Sequence, residues 1–247
     1  MLPRAIVFDA VGTLIHADPP VADVYHLAGW EFGSQLSRDD VSQRLRAAFA
    51  ASEAGAGLER AATSEPLERE RWRQLVRGVF ADVPDAGGPL FETLWRHFAQ
   101  SEHWRLFHDV AFAINELAGR GVRLAIASNF DRRLHAIRQA LAPLDRCERC
   151  FVSSEVGYPK PDRRFFSTIE QQLGLAADEI LLVGDDRTND ILGARAAGWQ
   201  AALLARKGSA AAEPAAMRSL SELLELLSRR KEARRASEAI RDWGGCD

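Results

Sequence analysis

Five short apolar runs recur along the chain, one near its start and four in its second half, and they constrain the fold most. They occupy residues 5–8, 122–127, 150–153, 180–183 and 201–204. Each run is too short for a helix, and apolar residues recur at helical spacing between the later runs, over 110–117, 134–141, 165–173 and 190–197. Strands that alternate with helices and are apolar on both faces are typical of a buried parallel sheet. We therefore predict an α/β fold, a Rossmann-like parallel sheet with helices on both faces.

The stretch from residue 18 to residue 104 differs from the rest because it contains no strand-like alternation. It is predicted to be helical, with one helix starting at Ser64-Glu65-Pro66, where serine can cap the first turn and proline fits inside it. The apolar residues that follow fall on one helix face and are Trp72, Leu75, Val76, Val79 and Phe80. We expect residues 1–17 and 105–247 to form the core domain and residues 18–104 an inserted α-helical cap domain.

Polar residues capable of chemistry follow the first four predicted strands. Asp9 ends the first strand, Ser128 and Asn129 follow the second, and Lys160 lies between two prolines beyond the third. The fourth strand is followed by three carboxylates within six residues, namely Asp185, Asp186 and Asp190. Ligands of open α/β sheets bind at the carboxyl ends of the strands, so we expect these side chains to meet there. Asp9 taken alone is equally suited to be a nucleophile, a metal ligand or a helix cap.

The cluster of carboxylates predicts a cation. Carboxylates that lie close together repel one another and raise each other's pKa unless a positive charge neutralises them. Their hard oxygen atoms suit Mg²⁺, which prefers a few carboxylates together with water. Gly12, three residues after the first carboxylate, permits the tight turn that such a site requires.

These four motifs, in this order, resemble those of the haloacid dehalogenase (HAD) superfamily, in the subfamily with a helical cap inserted after the first strand. The resemblance covers the chain up to about residue 208. The first motif, Phe8-Asp9-Ala10-Val11-Gly12-Thr13-Leu14, most resembles the phosphatase-like branch known as REG-2-like. The resemblance implies a Rossmann-like sheet and an active site between the core and the cap.

The resemblance also implies catalytic roles for four residues. Asp9 would be the nucleophile that attacks phosphorus, and Lys160 would offset the charge on that nucleophile and on the phosphate. Ser128 would bind the phosphoryl group, with Asn129 beside it. An anionic nucleophile that approaches an anionic phosphate needs such cations to cancel the repulsion.

The same resemblance implies a Mg²⁺ site. Asp9, Asp185 and the backbone carbonyl of Val11 would bind the ion. Asp186 and Asp190 would act through coordinated water or orient their neighbours. Thr13 would fix the loop that carries the nucleophile.

Val11 is the main departure from the family pattern. Phosphatases of the family have a second aspartate there, which protonates the leaving oxygen and later helps water to attack. Valine can do neither, and general acid–base catalysis is typically worth about 10²–10⁴-fold. His16, which follows the first motif closely, could take over as the acid because an imidazole titrates near neutrality.

Three functions are compatible with this departure. The chain could be a phosphatase that is slow or whose leaving groups need little protonation. It could be a 2-haloacid dehalogenase, because displacement of a halide needs no proton donor, or a regulatory module without turnover. Dehalogenases of the family lack the metal-binding aspartate, so the retained Asp185, Asp186 and Asp190 favour the phosphatase.

Composition excludes several other classes. A formal net charge of −3 argues against a nucleic-acid binder, and three cysteines cannot build a disulfide scaffold. No apolar stretch approaches the roughly 20 residues of a membrane span, and no signal peptide is recognised. We expect a cytoplasmic monomer or homodimer that acts on a small-molecule phosphate ester, without nucleic-acid or membrane partners.

Overall fold

The computed structural model describes residues 2–53, 60–206 and 216–243. Its strands, in chain order, are β1 (Ala5–Phe8), β2 (Ile15–Ala17), β3 (Trp104–Leu106), β4 (Arg123–Ser128), β5 (Arg149–Val152), β6 (Ile180–Gly184) and β7 (Gln200–Leu203). Five of them form a parallel sheet in the order β5–β4–β1–β6–β7. The predicted α/β class is confirmed, and each predicted strand lies within one residue of its observed bounds.

Helices connect the strands and surround the sheet. They are α1 (Val21–Glu31), α2 (Arg38–Glu53), α3 (Glu65–Val79), α4 (Pro89–His97), α5 (Val110–Gly119), α6 (Arg133–Ala140), α7 (Ser153–Val156), α8 (Arg163–Leu173), α9 (Gly193–Ala196) and α10 (Leu220–Trp243). As predicted, α3 begins directly after Ser64, with Pro66 in its first turn, but the Ser64 side chain makes no capping hydrogen bond. No helix in the described parts of the chain is both long enough and apolar enough to span a membrane.

The sheet is buried on both faces because successive residues of each strand point to opposite sides. On β1, Ile6 and Phe8 pack into one apolar cluster, and Ala5 and Val7 pack into the other. Helices α5 and α10 contribute to the first cluster, and α8 contributes to the second. This two-sided burial explains why the strands are continuous apolar runs in the sequence.

The helical segment predicted between residues 18 and 104 is joined to the sheet through a two-stranded antiparallel ribbon. In this ribbon, β2 and β3 pair Ile15 with Leu106 and Ala17 with Trp104. Helices α1 to α4 lie between these strands and pack against one another. The sequence reasoning missed the ribbon, since three-residue strands are too short to show a period. That these helices act as a separate cap domain remains a prediction.

Residues 60–65, which lead into α3, dock on the sheet domain. The Thr63 amide donates to the Gly157 carbonyl at 2.8 Å, and the Arg60 amide donates to the Asp162 carboxylate at 2.8 Å. The Glu65 carboxylate accepts a hydrogen bond from the Ser154 hydroxyl. The helical segment therefore closes over the end of the sheet where the predicted functional residues lie.

Candidate active site

The side chains of Asp9, Ser128, Lys160 and Asp185 line one pocket at the carboxyl end of the sheet, as the sequence reasoning expected. Asp9 follows β1, Ser128 is the last residue of β4, and Asp185 follows β6. These three strands are neighbours, so their ends meet at one edge. Lys160 reaches the pocket from the loop between α7 and α8.

The Lys160 ammonium is the centre of the hydrogen-bond network. Its nitrogen lies 2.7 Å from Asp9 Oδ1, 2.5 Å from Asp190 Oδ1 and 2.9 Å from the Ala127 carbonyl. An ammonium has three N–H donors, so these partners use all of them. Burial lowers the pKa of Lys160, but the charges of Asp190 and Asp9 outweigh it and hold the pKa above its ordinary value. Lys160 is therefore a permanent cation beside Asp9.

Asn129 lines the pocket and holds the backbone of Lys160. Its Oδ1 accepts from the Lys160 backbone amide at 2.7 Å, and its Nδ2 donates to the Lys160 carbonyl at 2.9 Å. The place of Asn129 beside Ser128 at the phosphoryl group remains a prediction: both residues line the pocket, and the Asn129 amide nitrogen has a second N–H besides the one donated to Lys160. Asn129 positions Lys160 in this geometry, while the Ser128 hydroxyl has no hydrogen-bond partner among the described residues and Ser128 lines the pocket.

Three carboxylates gather beside this lysine. One oxygen each of Asp9, Asp185 and Asp190 lies within 4.8 Å of the others. Burial and the Asp185 charge raise the pKa of Asp9, although Lys160 opposes both. Burial and the neighbouring Asp190 raise the pKa of Asp185 to about 6. Burial and the charge of Asp9 raise the pKa of Asp190 to about 6, although the charge of Lys160 lowers it. The site therefore carries more negative charge than one ammonium compensates.

The donor set fits Mg²⁺. All three side chains offer hard oxygen atoms, and two negative charges remain when the three are ionised beside Lys160. Asp185 is the exposed member of the group, so the site is open on the side of the pocket. A divalent cation between them would remove the repulsion that raises the carboxylate pKa values. We predicted the Val11 carbonyl as a further ligand, and this remains a prediction.

Two glycines let the carboxylates approach the backbone. Gly12 has a φ of +91°, and a Cβ placed on it would lie 2.3 Å from Asp185 Oδ2. A Cβ on Gly184 would lie 2.1 Å from Asp190 Oδ2. The predicted need for glycine at position 12 thus has two causes, backbone conformation and close approach of a ligand.

A second network holds the loop after β1. Thr13 donates its hydroxyl to Asp185 Oδ1 at 3.0 Å, as its expected loop-fixing role requires. Arg206 donates to the Thr13 carbonyl at 2.8 and 3.0 Å and to Asp109 at 2.8 Å. The other oxygen of Asp109 accepts from the Leu220 amide at the start of α10. Sequence reasoning missed Arg206, because nothing near it in the chain indicates this contact.

Asp186 acts as a cap and does not join the carboxylate group. Its Oδ1 accepts from the Thr188 and Asn189 amides, both at 2.7 Å, at the start of a π-helical turn over Arg187–Leu192. These bonds begin the helical winding before residue 190, so the helix predicted over 190–197 is replaced by this turn and the short α9. The turn brings Asp190 back to Lys160, so Asp186 orients a neighbour, one of its two expected roles.

The acid that Val11 lacks is not supplied by His16. The His16 ring packs against Phe107 at a centroid distance of 4.9 Å, and its Nδ1 lies 3.1 Å from the Ala17 carbonyl. His16 is not among the described residues that line the pocket, which corrects the suggestion that it replaces the acid. Val11 itself lines the pocket and is 37% exposed.

The pocket continues from the carboxylates into the helical segment. Its volume is about 610 Å³, and α1 to α4 contribute much of its lining. Most of the side chains there are apolar or aromatic, among them Tyr25, Leu45, Trp72, Phe91 and Trp95. Two residues of the apolar helix face predicted from the sequence, Trp72 and Val76, are therefore part of the pocket lining.

Comparison with known proteins agrees with the motif order. The family model for haloacid dehalogenase-like hydrolases matches residues 3–198. The chain belongs to this family. It is 31% identical over 209 residues to the mouse haloacid dehalogenase-like hydrolase domain-containing protein 3, covering 82% of each chain. It is 26% identical to the Drosophila melanogaster rhythmically expressed gene 2 protein, covering 84% of this chain and 85% of that protein. The HAD hydrolase is thus of the REG-2-like branch, which confirms the resemblance.

A solved structure shows the same fold. YfnB from Bacillus subtilis, crystallised with magnesium, matches with a TM-score of 0.69 at 20% identity, covering 92% of this chain and 99% of that one. Identity at this level supports the fold of the HAD hydrolase and leaves its substrate to be argued from the site.

Proposed function

We propose that this HAD hydrolase is a Mg²⁺-dependent phosphatase that cleaves a small phosphomonoester through an aspartyl-phosphate formed on Asp9. The observation that carries the proposal is the contact between Asp9 and the buried Lys160 ammonium, 2.7 Å apart, beside Asp185 and Asp190. A carboxylate in direct contact with a fixed cation, within a set of hard oxygen ligands, suits attack on an anionic phosphate.

In the first step a carboxylate oxygen of Asp9 attacks phosphorus, and the bond from phosphorus to the leaving oxygen breaks. The leaving group departs with the electron pair and takes a proton from water, because Val11 has none to give. Water then attacks phosphorus of the aspartyl-phosphate, which releases inorganic phosphate and restores the Asp9 carboxylate.

Lys160 neutralises and positions the nucleophile in this scheme. All three of its donors are already used, so a phosphate oxygen can bind it only by displacing a present partner. Ser128, which has a free hydroxyl at the pocket wall, is the better donor for the phosphoryl group. Mg²⁺ held by Asp9 and Asp185, with Asp190 nearby, would supply charge neutralisation for the phosphate oxygens.

The direct test is release of inorganic phosphate from p-nitrophenyl phosphate with Mg²⁺ and with EDTA. We expect weak Mg²⁺-dependent turnover that Asp9→Asn abolishes while the thermal melt stays cooperative. Protein that is inactive across metals and pH and binds no phosphate analogue would overturn the proposal in favour of a non-catalytic module. Halide release from a 2-haloacid without metal would select the dehalogenase.

A sharper test uses position 11. Val11→Asp supplies the missing acid at a residue that already lines the pocket, and Val11→Asn is the matched control, which has no acidic proton. Val11→Asp should accelerate an alkyl phosphate, whose leaving group needs protonation, by about 10²-fold or more. The gain for p-nitrophenyl phosphate should be small. Equal gains for both esters, or an equal gain with Val11→Asn, would contradict this account of position 11.

A further inference from the structure

The cavity above Asp9 is much larger than a phosphoryl group requires. Its volume of about 610 Å³ falls in the range of pockets that bind drug-sized molecules. Beyond the carboxylates its walls come from α1, α2, α3 and α4, with Leu45, Trp72 and Phe91 among the lining side chains. A phosphate bound at Asp9 therefore leaves most of the space, and nearly all of the hydrocarbon wall, to the leaving group.

The buried charges beside this space are already paired. Arg133 donates to both carboxylate oxygens of the fully buried Asp131 at 2.7 Å, and its guanidinium covers the Trp95 ring at 3.5 Å. Glu68 accepts from Arg71 at 2.9 Å and from a threonine hydroxyl at 2.7 Å. These two pairs leave apolar and aromatic side chains as most of the wall contributed by α1 to α4.

Tyr25 provides one polar group in this apolar surface. Its side chain is 3% exposed, and its ring packs near two phenylalanine rings at centroid distances of 6.0 and 6.2 Å. Its hydroxyl has no hydrogen-bond partner among the described residues, and Tyr25 lines the cavity. Burial raises the pKa of Tyr25, so the hydroxyl keeps its proton and can donate it to an acceptor on a ligand.

From these observations we propose that the leaving group is a bulky aromatic alcohol, a phenol of more than one ring, that carries an acceptor for the Tyr25 hydroxyl. This inference rests on the proposed phosphatase function and names its substrate class. Position 11 supports it independently, because a phenol leaves without the protonation that Val11 cannot give. The size of the cavity, its aromatic walls and the missing acid thus all favour an aryl phosphate.

The test compares 1-naphthyl phosphate with phenyl phosphate, whose leaving phenols are chemically alike and differ mainly in size. Each buried methylene-sized group is worth roughly a fourfold change in affinity, so kcat/KM should favour the naphthyl ester by about tenfold or more. Ala22→Trp, which narrows the pocket from α1, should reduce this preference. Leu27→Trp, on the exposed face of the same helix and outside the pocket, should leave it unchanged.

The role of Tyr25 is tested with Tyr25→Phe, which keeps the ring. It should lower kcat/KM several-fold for 4-methylumbelliferyl phosphate, a bicyclic ester with oxygen acceptors, relative to 1-naphthyl phosphate, which has none on its rings. Equal changes for the two esters would overturn the assignment of the hydroxyl.

Binding to the Asp9→Asn protein separates this inference from the proposed function. Tryptophan fluorescence reports on ligands there because Trp72 and Trp95 line the cavity. Tighter binding of 1-naphthyl than of phenyl phosphate, without turnover of any ester by the wild type, would refute the phosphatase and keep the aromatic pocket. Turnover of glycerol phosphate as efficient as that of the naphthyl ester would refute the aromatic substrate and keep the phosphatase.

Discussion

Replacing Lys160 by methionine should destabilise the metal-free protein in a pH-dependent way. The ammonium is 2% exposed and contacts Asp9 and Asp190, whereas methionine has a similar shape and no charge. Removing one partner of a buried ion pair costs about 3–5 kcal/mol, because the other charge is left without compensation. Here two carboxylates lose that partner, so we expect a cost within or above this range at pH 8.

The same substitution should cost less at low pH. Asp185 and Asp190 already have pKa values of about 6 in the folded wild type, against an ordinary value near 3.8. Between these values the folded state holds protons that the unfolded state has lost, so stability falls as pH rises through this window. Without Lys160 the pKa of Asp190 in the folded state rises further, so the loss of stability extends to higher pH. At pH 5 protonation of the cluster should remove much of the penalty.

Urea unfolding at pH 5 and pH 8, with EDTA or with Mg²⁺, measures these effects. We expect Lys160→Met to lose most stability at pH 8 in EDTA and to regain part of it with Mg²⁺. The double variant Lys160→Met with Asp190→Asn should also recover part, because one unpaired charge is removed. A loss that is equal at both pH values and indifferent to Mg²⁺ and to the second substitution would refute the electrostatic reasoning and indicate a packing defect.

Three further predictions concern the metal site and the loop after β1 beside it. The affinity for Mg²⁺, measured by calorimetry, should fall steeply below pH 6, where Asp185 and Asp190 become protonated; a flat profile from pH 5 to 8 would exclude them as ligands. Gly12→Ala should abolish the stabilisation of the protein by Mg²⁺ in thermal melts. The control Gly33→Ala has the same φ of +91° and open space around it, so it should cost only about 1–3 kcal/mol of backbone strain and keep the stabilisation by Mg²⁺. Arg206→Met should lower kcat about tenfold through the loop after β1; unchanged kcat with lowered stability would show a purely structural role.

The parts of the site that the sequence could predict are those attached directly to strand ends. Asp9 and Asp185 follow β1 and β6 immediately, so a correct strand prediction places them at one edge of a parallel sheet. Glycine at position 12 was likewise predictable, since a tight turn directly after a strand needs it. Local signals were sufficient here because the distance from each residue to its strand is one or a few residues.

Other features depend on contacts between distant segments and could not be predicted. The hydrogen bonds from the side chain of Asn129 to the backbone of Lys160, 31 residues away, have no local signal in the sequence. The ribbon of β2 and β3 is too short to show a period, and Tyr25 was indistinguishable from core because helical spacing shows which face is apolar but not whether a cavity opens there.

The docking of residues 60–65 has a mechanical consequence for the nucleophile. The loop over residues 157–162 carries Lys160, and it is held from the sheet by Asn129 and from the helical segment by the amides of Arg60 and Thr63. Moving α3 away from the sheet must break the hydrogen bonds of the Arg60 and Thr63 amides. The hydrogen bond from Lys160 to Asn129 would remain and would keep the lysine beside Asp9. The contact between Lys160 and Asp9 therefore does not depend on the two hydrogen bonds from the helical segment.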